Sequence, residues 1–442
     1  PFQHGEVYVT DDGAETDLDL GHYYRYTHSP LSKASNATSG QIYNTVIRKE
    51  RKGDYLGKTV QVIPHVTDEI KSRILDCAKQ ELKTQVVIVE IGGTVGDIES
   101  LPFLEAIRQF RYEKNRNCIN IHLTYVPQLK AAGEVKTKPT QHSVQDLREI
   151  GIIPDLILCR CENALSEEIK EKISLFCNVA KEAVFDEKDV THSIYEVPLD
   201  LNRQKLDAFI CKQLKIETQE PDLTPWKKMM ERSLHPKGQI VVGIVGKYLE
   251  HKDAYKSVFE ALHHGAVALQ KELRILPFDS EHLSVEVLDG CDGYLVPGGF
   301  GERGWEGKIL AAHHCRTKKI PYFGLCLGMQ VMLVEFARNV LGFPDAHSTE
   351  VDPNTSHPVI SLLSEQKKVL ELGGTMRLGA YPCALKPDTL AFSSYKKTIV
   401  SERHRHRYEF NNAYKQAFEE KGVLFSGTLE KGDLCEIAEI AD

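Results

Sequence analysis

The most restrictive feature of this chain is a cysteine held between two glycines, in the run Gly324-Leu325-Cys326-Leu327-Gly328. A short apolar run precedes it, and a helix-like stretch from Met329 to Arg338 follows it. A strand, a sharp turn carrying a nucleophile and a helix form a nucleophile elbow, in which small neighbours permit a strained backbone. A thiol at a helix N-terminus is favoured as the thiolate. The pattern therefore predicts an α/β sheet with a reactive cysteine at its edge.

A second glycine-rich turn, Gly298-Gly299-Phe300-Gly301, follows the strand-like run Gly293 to Val296. The backbone N–H groups of such a turn can point towards a developing oxyanion. Free cysteine is among the residue types most often buried, so the alternative is that Cys326 only packs in the core. The two glycine-rich turns together favour the nucleophile.

Composition limits the protein class. A chain of 442 residues predicts two or three domains, and 41% hydrophobic with 27% charged residues is typical of a globular protein. A net charge of −8 argues against a general nucleic-acid binder, and no apolar run reaches the length of a membrane span. Eleven scattered cysteines without a disulfide framework suit a reducing compartment, so we expect a cytoplasmic protein. The first residue is Pro1 rather than methionine, and we expect the chain to be part of a longer protein.

Strand-like and helix-like runs alternate in the first half, which predicts a parallel sheet covered by helices. Strands are expected at Gln85 to Ile91, Cys118 to Tyr125 and Leu156 to Arg160. A polar, proline-containing segment, 215–238, separates this half from a second alternation. We therefore predict a first domain at 1–214, a linker at 215–238 and a second domain at 239–442, each a doubly wound parallel-sheet α/β fold.

Three segments of the first half carry candidate ligand-binding groups. The stretch Gly13 to Tyr23 places three carboxylates within five positions, which suits either a Mg²⁺ site or a solvated acidic loop. The predicted strand ending at Ile91 runs into the acidic glycine-rich turn Gly92 to Ser100, where α/β sheets bind ligands; it lacks the P-loop pattern. The loop Gly133 to Ser143 predicts either phosphate binding or a solvated basic turn.

Arginine and histidine alternate in the run Glu402 to Glu409. In a strand this alternation would place three arginines on one face and two histidines on the other. The arginine face could grip a carboxylate or a phosphate, and an exposed charged strand is an equal alternative.

Seven colinear blocks that span essentially the whole chain resemble the CTP synthase family. They are Gln3 to Val7, Gly13 to Gly21, Glu90 to Ser100, Lys136 to Gln141, Pro297 to Gly301, Gly324 to Gln330 and Arg403 to Glu409. The resemblance implies a ligase of pyrimidine biosynthesis, with a P-loop-type amidoligase domain joined to a class I glutaminase domain. In it, ATP phosphorylates O4 of UTP, and ammonia from glutamine, passed internally, displaces that phosphate to give CTP.

The resemblance also implies residue roles in the first domain. Asp19 and Glu90 would hold Mg²⁺ at the ATP phosphates. The nucleotide-binding residues would be Gln61, His65, Asp97, Ile98, Glu99, Lys136, Thr137, Lys138, Gln141, Arg160 and Lys172.

In the second domain, the resemblance implies that Cys326 attacks the glutamine amide and forms a thioester. The glutamine-binding residues would be Gly299, Leu327, Gln330, Glu350 and Arg407, of which Gly299 and Leu327 offer backbone N–H groups to the oxyanion. GTP, an allosteric activator, would act through Lys256, Arg303 and Glu306. CTP would be a feedback inhibitor, and homotetramers and filaments are expected.

Two parts of the family pattern are expected outside this sequence. A P-loop would precede Pro1, and the triad histidine and glutamate would lie in an H-P-E segment after Asp442. Neither His404 nor His406 fits the triad pattern, so the sequence assigns no catalytic histidine. The junction 366–372 is also shorter than the family leads us to expect.

Three alternatives compete with this interpretation. Another glutamine-dependent amidoligase, such as the cobyrinic acid diamide type, should lack the Lys136 to Gln141 block. A GMP synthetase would need an S-G-G-x-D-S loop, which this sequence does not contain. A catalytically silent filament subunit is a third possibility, against which the intact Cys326 elbow weighs.

Overall fold

The structure is a computed structural model that describes residues 6–27, 29–80, 84–114, 117–129, 131, 133–362, 376–431 and 433–440. It divides into two compact units, of which the first joins Pro1–Asn36 to His235–Asp442 and the second is Ala37–Leu234. The motif residues 3–5, the junction 366–372 and the run 373–375 lie outside the described residues. The domain limits at 214 and 239 stay a prediction. The grouping of residues 1–36 with the C-terminal part is a feature that the sequence did not indicate.

The first unit begins with β1 (Tyr8–Val9), β2 (Glu15–Thr16) and α1 (Asp19–Thr27). The two strands pair antiparallel around a tight turn in which Gly13 has φ +82°. A Cβ on Gly13 would lie 3.0 Å from the carbonyl oxygen of Leu378, so the glycine lets this turn approach a later strand of the same unit. Residues 6–27, here called the N-terminal segment, are also fixed where the backbone N–H of Ser257 donates to Glu6 at 2.9 Å.

The second unit holds the elements between residues 37 and 234. Its helices are α2 (Ser39–Lys52), α3 (Thr67–Ala78), α4 (Leu101–Glu113), α5 (Lys138–Glu149), α6 (Glu167–Cys177), α7 (Val197–Arg203), α8 (Leu206–Leu214) and α9 (Thr224–Leu234). Its strands are β3 (Ile121–Val126), β4 (Gln128–Leu129), β5 (Glu134–Val135), β6 (Leu156–Cys161) and β7 (Val184–Lys188). Strands β3, β6 and β7 form a parallel sheet in that order, which confirms the predicted parallel sheet. Its core joins Val126, Val144, Ile157 and Ile173.

The strand predicted at Gln85 to Ile91 is wrong. This segment has no regular secondary structure, and Val86 and Ile88 are 51% and 88% exposed. An apolar run becomes a strand where a neighbouring strand pairs with its N–H and C=O groups. In the part of the chain that the structure describes, no strand pairs with this segment.

The rest of the first unit follows residue 235. Its helices are α10 (Lys256–Ala268), α11 (Trp305–Lys318), α12 (Leu327–Asn339), α13 (Leu390–Tyr395) and α14 (Lys415–Glu420). Its strands are β8 (Gln239–Gly246), β9 (Glu272–Asp279), β10 (Gly293–Val296), β11 (Tyr322–Gly324), β12 (His347–Ser348), β13 (Pro358–Leu362), β14 (Arg377–Leu385), β15 (Ile399–His406), β16 (Tyr408–Phe410), β17 (Val423–Leu429) and β18 (Cys435–Ile440).

A parallel sheet in the order β11-β10-β8-β9 positions the cysteine, because Cys326 comes two residues after β11. An antiparallel sheet in the order β15-β14-β17-β18 lies in the same unit, and the sequence did not distinguish it from the parallel one. The largest core packs Trp305 of α11 and Val331 of α12 with Phe410 and Phe425. The α/β class with parallel sheets is therefore confirmed.

Candidate active site

Cys326 lies in a sharp turn between β11 and α12, with φ 54° and ψ −107°. A residue with a side chain rarely adopts such a conformation, and it persists where the surrounding structure enforces it. Here close packing on either side of Cys326 enforces it, and two glycines permit that packing. A Cβ on Gly324 would lie 2.4 Å from the carbonyl carbon of Gly328, and a Cβ on Gly328 would lie 2.1 Å from the carbonyl oxygen of Val296. The structure thus has the elbow geometry that the sequence predicted.

The glycine turn, Gly298 to Gly301, lies against this cysteine. A Cβ on Gly298 would lie 3.7 Å from Sγ of Cys326, and a Cβ on Gly299 would lie 3.4 Å from Cδ2 of Leu327. A later residue fixes the turn, because the N–H of Gly301 donates to Oε1 of Glu350 at 2.7 Å. The turn and the start of α12 therefore offer backbone groups beside one thiol.

The residues predicted to bind glutamine gather around the elbow. Nε2 of Gln330, on the first turn of α12, donates to the carbonyl oxygen of Tyr408 at 2.8 Å. The pKa of Tyr408 is raised, first by burial and then by the Glu350 carboxylate, while Arg407 opposes the rise. These influences place Glu350 and Arg407 near Tyr408. That these residues bind glutamine stays a prediction.

The structure brings to Cys326 a histidine that the sequence had set aside. The ring of His406, the last residue of β15, is hydrogen-bonded to the Cys326 thiol. Its Nδ1 lies 3.0 Å from Oε1 of Glu409. The alternation of arginine and histidine was visible in the sequence, but the partner of each face was not. Hydrogen bonds therefore connect the cysteine to the histidine and the histidine to the glutamate.

Charge in this site favours the thiolate. Burial raises the pKa of the Cys326 thiol, but His406 and the backbone N–H of Leu327 outweigh it, so the net pKa lies below the ordinary value. Burial lowers the pKa of His406, but Cys326 and the hydrogen bond to Glu409 raise it well above its usual range. Both shifts favour a thiolate beside an imidazolium.

A buried network of charges continues from Glu409. Nη1 of Arg377 lies 3.2 Å from Oε1 of Glu409, and Nη2 lies 2.5 Å from Oε1 of Glu436. Nε2 of His404 lies 2.5 Å from the other oxygen of Glu436. Burial raises the pKa of Glu436, but its hydrogen bonds to His404 and Arg377 outweigh burial and lower the pKa to about 2. The network keeps Glu409 oriented towards His406.

The arginines of β15 are occupied by the N-terminal segment. The guanidinium of Arg403 hydrogen-bonds to Tyr8 and lies 4.9 Å from the ring centroid of Tyr24. Nε of Arg405 donates to Oε1 of Glu15 at 2.6 Å. Arg407 lies after β15, so only two arginines share the strand face, and the expectation of three was wrong.

The residues predicted to respond to GTP each have a partner within the first unit. Nζ of Lys256 lies 3.0 Å from Glu260, which is one helical turn further along α10. Arg303 pairs with Glu281 at 2.8 Å, and Glu306 pairs with Arg338 at 3.0 Å. A GTP site that uses these residues stays a prediction.

In the second unit, the predicted phosphate-binding loop is shorter than expected. Helix α5 begins at Lys138, so residues 138–141 form its first turn and only the preceding residues are loop. Nε2 of Gln141 donates to Oγ1 of Thr137 at 3.0 Å, and Lys136 pairs with Glu134. A lysine and the unpaired N–H groups of a helix start are a combination that binds anions.

The other predicted nucleotide-binding residues are held in local contacts. The N–H of Gln61 donates to Nδ1 of His65 at 3.0 Å. Asp97 accepts the N–H of Thr94 at 3.0 Å, which closes the acidic turn that also carries Ile98 and Glu99. Two basic residues lie elsewhere on the unit, on β6 and α6: Arg160 and Lys172. Their assembly into one nucleotide site stays a prediction.

The two carboxylates predicted to hold Mg²⁺ belong to different units. Asp19 is exposed at the start of α1 in the first unit, and Glu90 is exposed in the second. Among the described residues, no group of three or more His, Cys, Asp or Glu side chains is arranged to hold a metal ion. Within the same residues, no helix is both long and apolar enough to cross a membrane.

The strained cysteine, the glycine turn beside it and the parallel sheet beneath it are features of a glutaminase domain. Residues 250–442 match the class I glutamine amidotransferase family, which gives the class of the C-terminal part. Residues 1–216 match the CTP synthase N-terminus family.

Two full-length relatives agree with these family matches. The chain is 67% identical to a CTP synthase of Protochlamydia amoebophila, with all of this chain and 83% of that protein covered. It is 60% identical to a CTP synthase of Chlamydia felis, with all of this chain and 82% of that protein covered. A solved glutaminase domain of Trypanosoma brucei CTPS with bound acivicin is 40% identical and covers 43% of this chain and 76% of that one, with a TM-score of 0.41. The chain belongs to the CTP synthase family, whose members convert UTP to CTP with glutamine as nitrogen donor. This membership excludes the other amidoligases considered above.

Proposed function

We propose that the Cys326 site of the first unit releases ammonia from glutamine, and that the second unit binds the nucleotides that this ammonia converts. The observation that carries the proposal is the strained Cys326, with a lowered thiol pKa, between a helix start and a glycine turn.

The first chemical step follows from these groups. The Cys326 thiolate attacks the glutamine amide carbon, and the amide nitrogen takes up the proton that the thiol gave up. The C–N bond then breaks, ammonia leaves, and a thioester remains for water to hydrolyse. The N–H groups of Gly299 and Leu327 are proposed to stabilise the oxyanion that forms during attack. We assign to His406 the stabilisation of the thiolate, because its ring is hydrogen-bonded to the Cys326 thiol and lowers the pKa of that thiol.

The nucleotide chemistry is proposed for the residues of the family pattern. Lys136 and the start of α5 can hold phosphate oxygens. Asp19 and Glu90, each on its own unit, are exposed carboxylates, which are the oxygen donors that Mg²⁺ takes. Mg²⁺, where bound, would supply charge neutralisation at the ATP phosphates.

Regulation, assembly and location complete the proposal. GTP activation, CTP feedback inhibition, homotetramers and filaments are proposed from the resemblance alone. All eleven cysteines are free thiols, which supports a reducing, cytoplasmic location.

The decisive experiment measures CTP formation from UTP and ATP by the full-length protein, supplied with glutamine or with ammonia. Cys326→Ala is expected to abolish the glutamine reaction and spare the ammonia reaction. Cys291→Ala is the matched control, because burial raises the pKa of this thiol in the same unit, and both reactions should survive. Loss of both reactions in Cys326→Ala would show a structural cysteine and refute the assignment.

A further inference from the structure

Lys308 is a buried lysine that the glutaminase chemistry described so far does not use. It is 0% exposed, and its Nζ has no hydrogen-bond partner among the described residues. It follows Trp305 by three positions and precedes Ala312 by four on α11, so helical periodicity puts it on the face that packs in the core. A buried ammonium without a partner is costly, and lysine is rarely found there.

The end of this side chain lies behind the glycine turn. A Cβ on Gly299 would lie 3.7 Å from Nζ of Lys308, while Cδ2 of Leu327 would be 3.4 Å from the same point. Gly299 and Leu327 are the two residues whose N–H groups are proposed to face the oxyanion. The ammonium thus lies next to the backbone whose N–H groups would face the oxyanion.

The charges around Lys308 come from each neighbouring element. Burial first, and then the positive charges of Lys247, just after β8, and Arg303, before α11, together lower the pKa of Lys308 to about 7. Cys326, before α12, acts in the opposite direction. Glu335, on α12, is instead held by Arg316 at 2.7 Å and by His313 at 2.8 Å. Among these groups, Cys326 is the anion that favours a charged Lys308.

We propose that Lys308 is a positioning residue of the glutaminase site, whose ammonium behind Gly299 stabilises the Cys326 thiolate and the oxyanion formed from it. The inference rests on the proposed function of Cys326. In a site with little water, a fixed charge acts strongly on a neighbouring charge. The buried lysine then lowers the stability of the fold, since no salt bridge compensates its burial, but it increases the reactivity of the thiol.

This role predicts opposite effects on stability and reactivity. Methionine has nearly the length of lysine and no charge, so Lys308→Met removes an unpaired buried ammonium while filling the same space. We expect an unfolding temperature at least as high as that of the parent. The Cys326 thiol should lose reactivity at pH 7 by about tenfold, as should kcat for glutamine hydrolysis. KM for glutamine and the ammonia-dependent reaction should stay unchanged.

The test uses the full-length protein and measures iodoacetamide alkylation of the Cys326 peptide by mass spectrometry across pH 5–9. Lys318→Met, which removes an exposed lysine from the same helix, is the matched control and should match the parent. A folded Lys308→Met with the parent's alkylation profile and kcat overturns the proposal. A lower unfolding temperature with loss of both the glutamine and the ammonia reactions also overturns it, because that pattern is structural.

A second variant, together with the alkylation profile, keeps the result unambiguous. If Lys308→Met does not fold, Lys308→Leu provides a second neutral, apolar replacement for the same comparison. The alkylation profile reports on the thiol whether or not glutamine is the substrate. A failed proposed function would therefore appear in Cys326→Ala and the parent, whereas a failed Lys308 role would appear only as an unchanged profile.

Discussion

The elbow makes a quantitative prediction at Gly328. A Cβ added there would lie 2.1 Å from the carbonyl oxygen of Val296 and 3.0 Å from its carbonyl carbon. Both atoms belong to the end of β10, which cannot rotate away as a side chain could. To restore an ordinary contact, the start of α12 must move from β10 by about 1 Å, and a misplacement of that size at a reacting group costs on the order of 100-fold in rate.

Gly328→Ala should therefore reduce glutamine-dependent CTP formation by about 100-fold, equivalent to roughly 2.7 kcal/mol in the barrier. Ammonia-dependent formation should remain. Gly265→Ala is the matched control, since this helical glycine on α10 has no atom within 4 Å of an added Cβ, and alanine there should stabilise by up to about 1 kcal/mol. Full glutamine activity in Gly328→Ala would refute the reasoning, because the elbow would then tolerate a shift that the structure forbids.

Three further predictions concern the charges behind the thiol. Arg377→Met leaves Glu409 and Glu436 buried without their shared partner, so scanning calorimetry should show the first unit destabilised by about 3–5 kcal/mol, and an unchanged transition would contradict the network. The lowered pKa of Glu436 contributes about 3 kcal/mol of stability, which is present above pH 4.5 and is lost as pH falls towards 2. Glu436→Gln should therefore flatten the acid limb of a plot of melting temperature against pH. A plot parallel to that of the parent would argue against this role of Glu436. His406→Gln should move Cys326 alkylation to higher pH, whereas an unmoved curve would remove His406 from the site.

Local features were predictable from the sequence. The elbow around Cys326 was predictable, because glycine spacing, an apolar run and a helical pattern all act within a few residues. Most helices and strands were also predictable, although their observed ends differ from the predicted ones. One example is α5, which begins at Lys138, earlier than expected, with a proline in its first turn. Parallel sheets followed from the alternation of strands and helices.

Features that depend on distant partners were not predictable. His406 reaches Cys326 only because β14 and β15 pair in one register, which no local pattern reveals. The arginines of β15 meet Glu15 and Tyr8 because the N-terminal segment packs in the first unit. The apolar run at Gln85 to Ile91 has strand composition, yet pairing with a neighbour decides whether a strand forms.

The arrangement around Cys326 explains why a sequence so full of buried charge is still consistent with a stable fold. Each charged group of this network has a partner within 3.2 Å, so their burial leaves none of them unpaired: His406, Glu409, Arg377, Glu436 and His404. Lys308 is different, because the described residues give its Nζ no partner. A fold under selection for stability alone would replace it with an apolar residue. Its position behind Gly299 therefore argues that the lysine is kept for the charge it holds beside the reacting thiol.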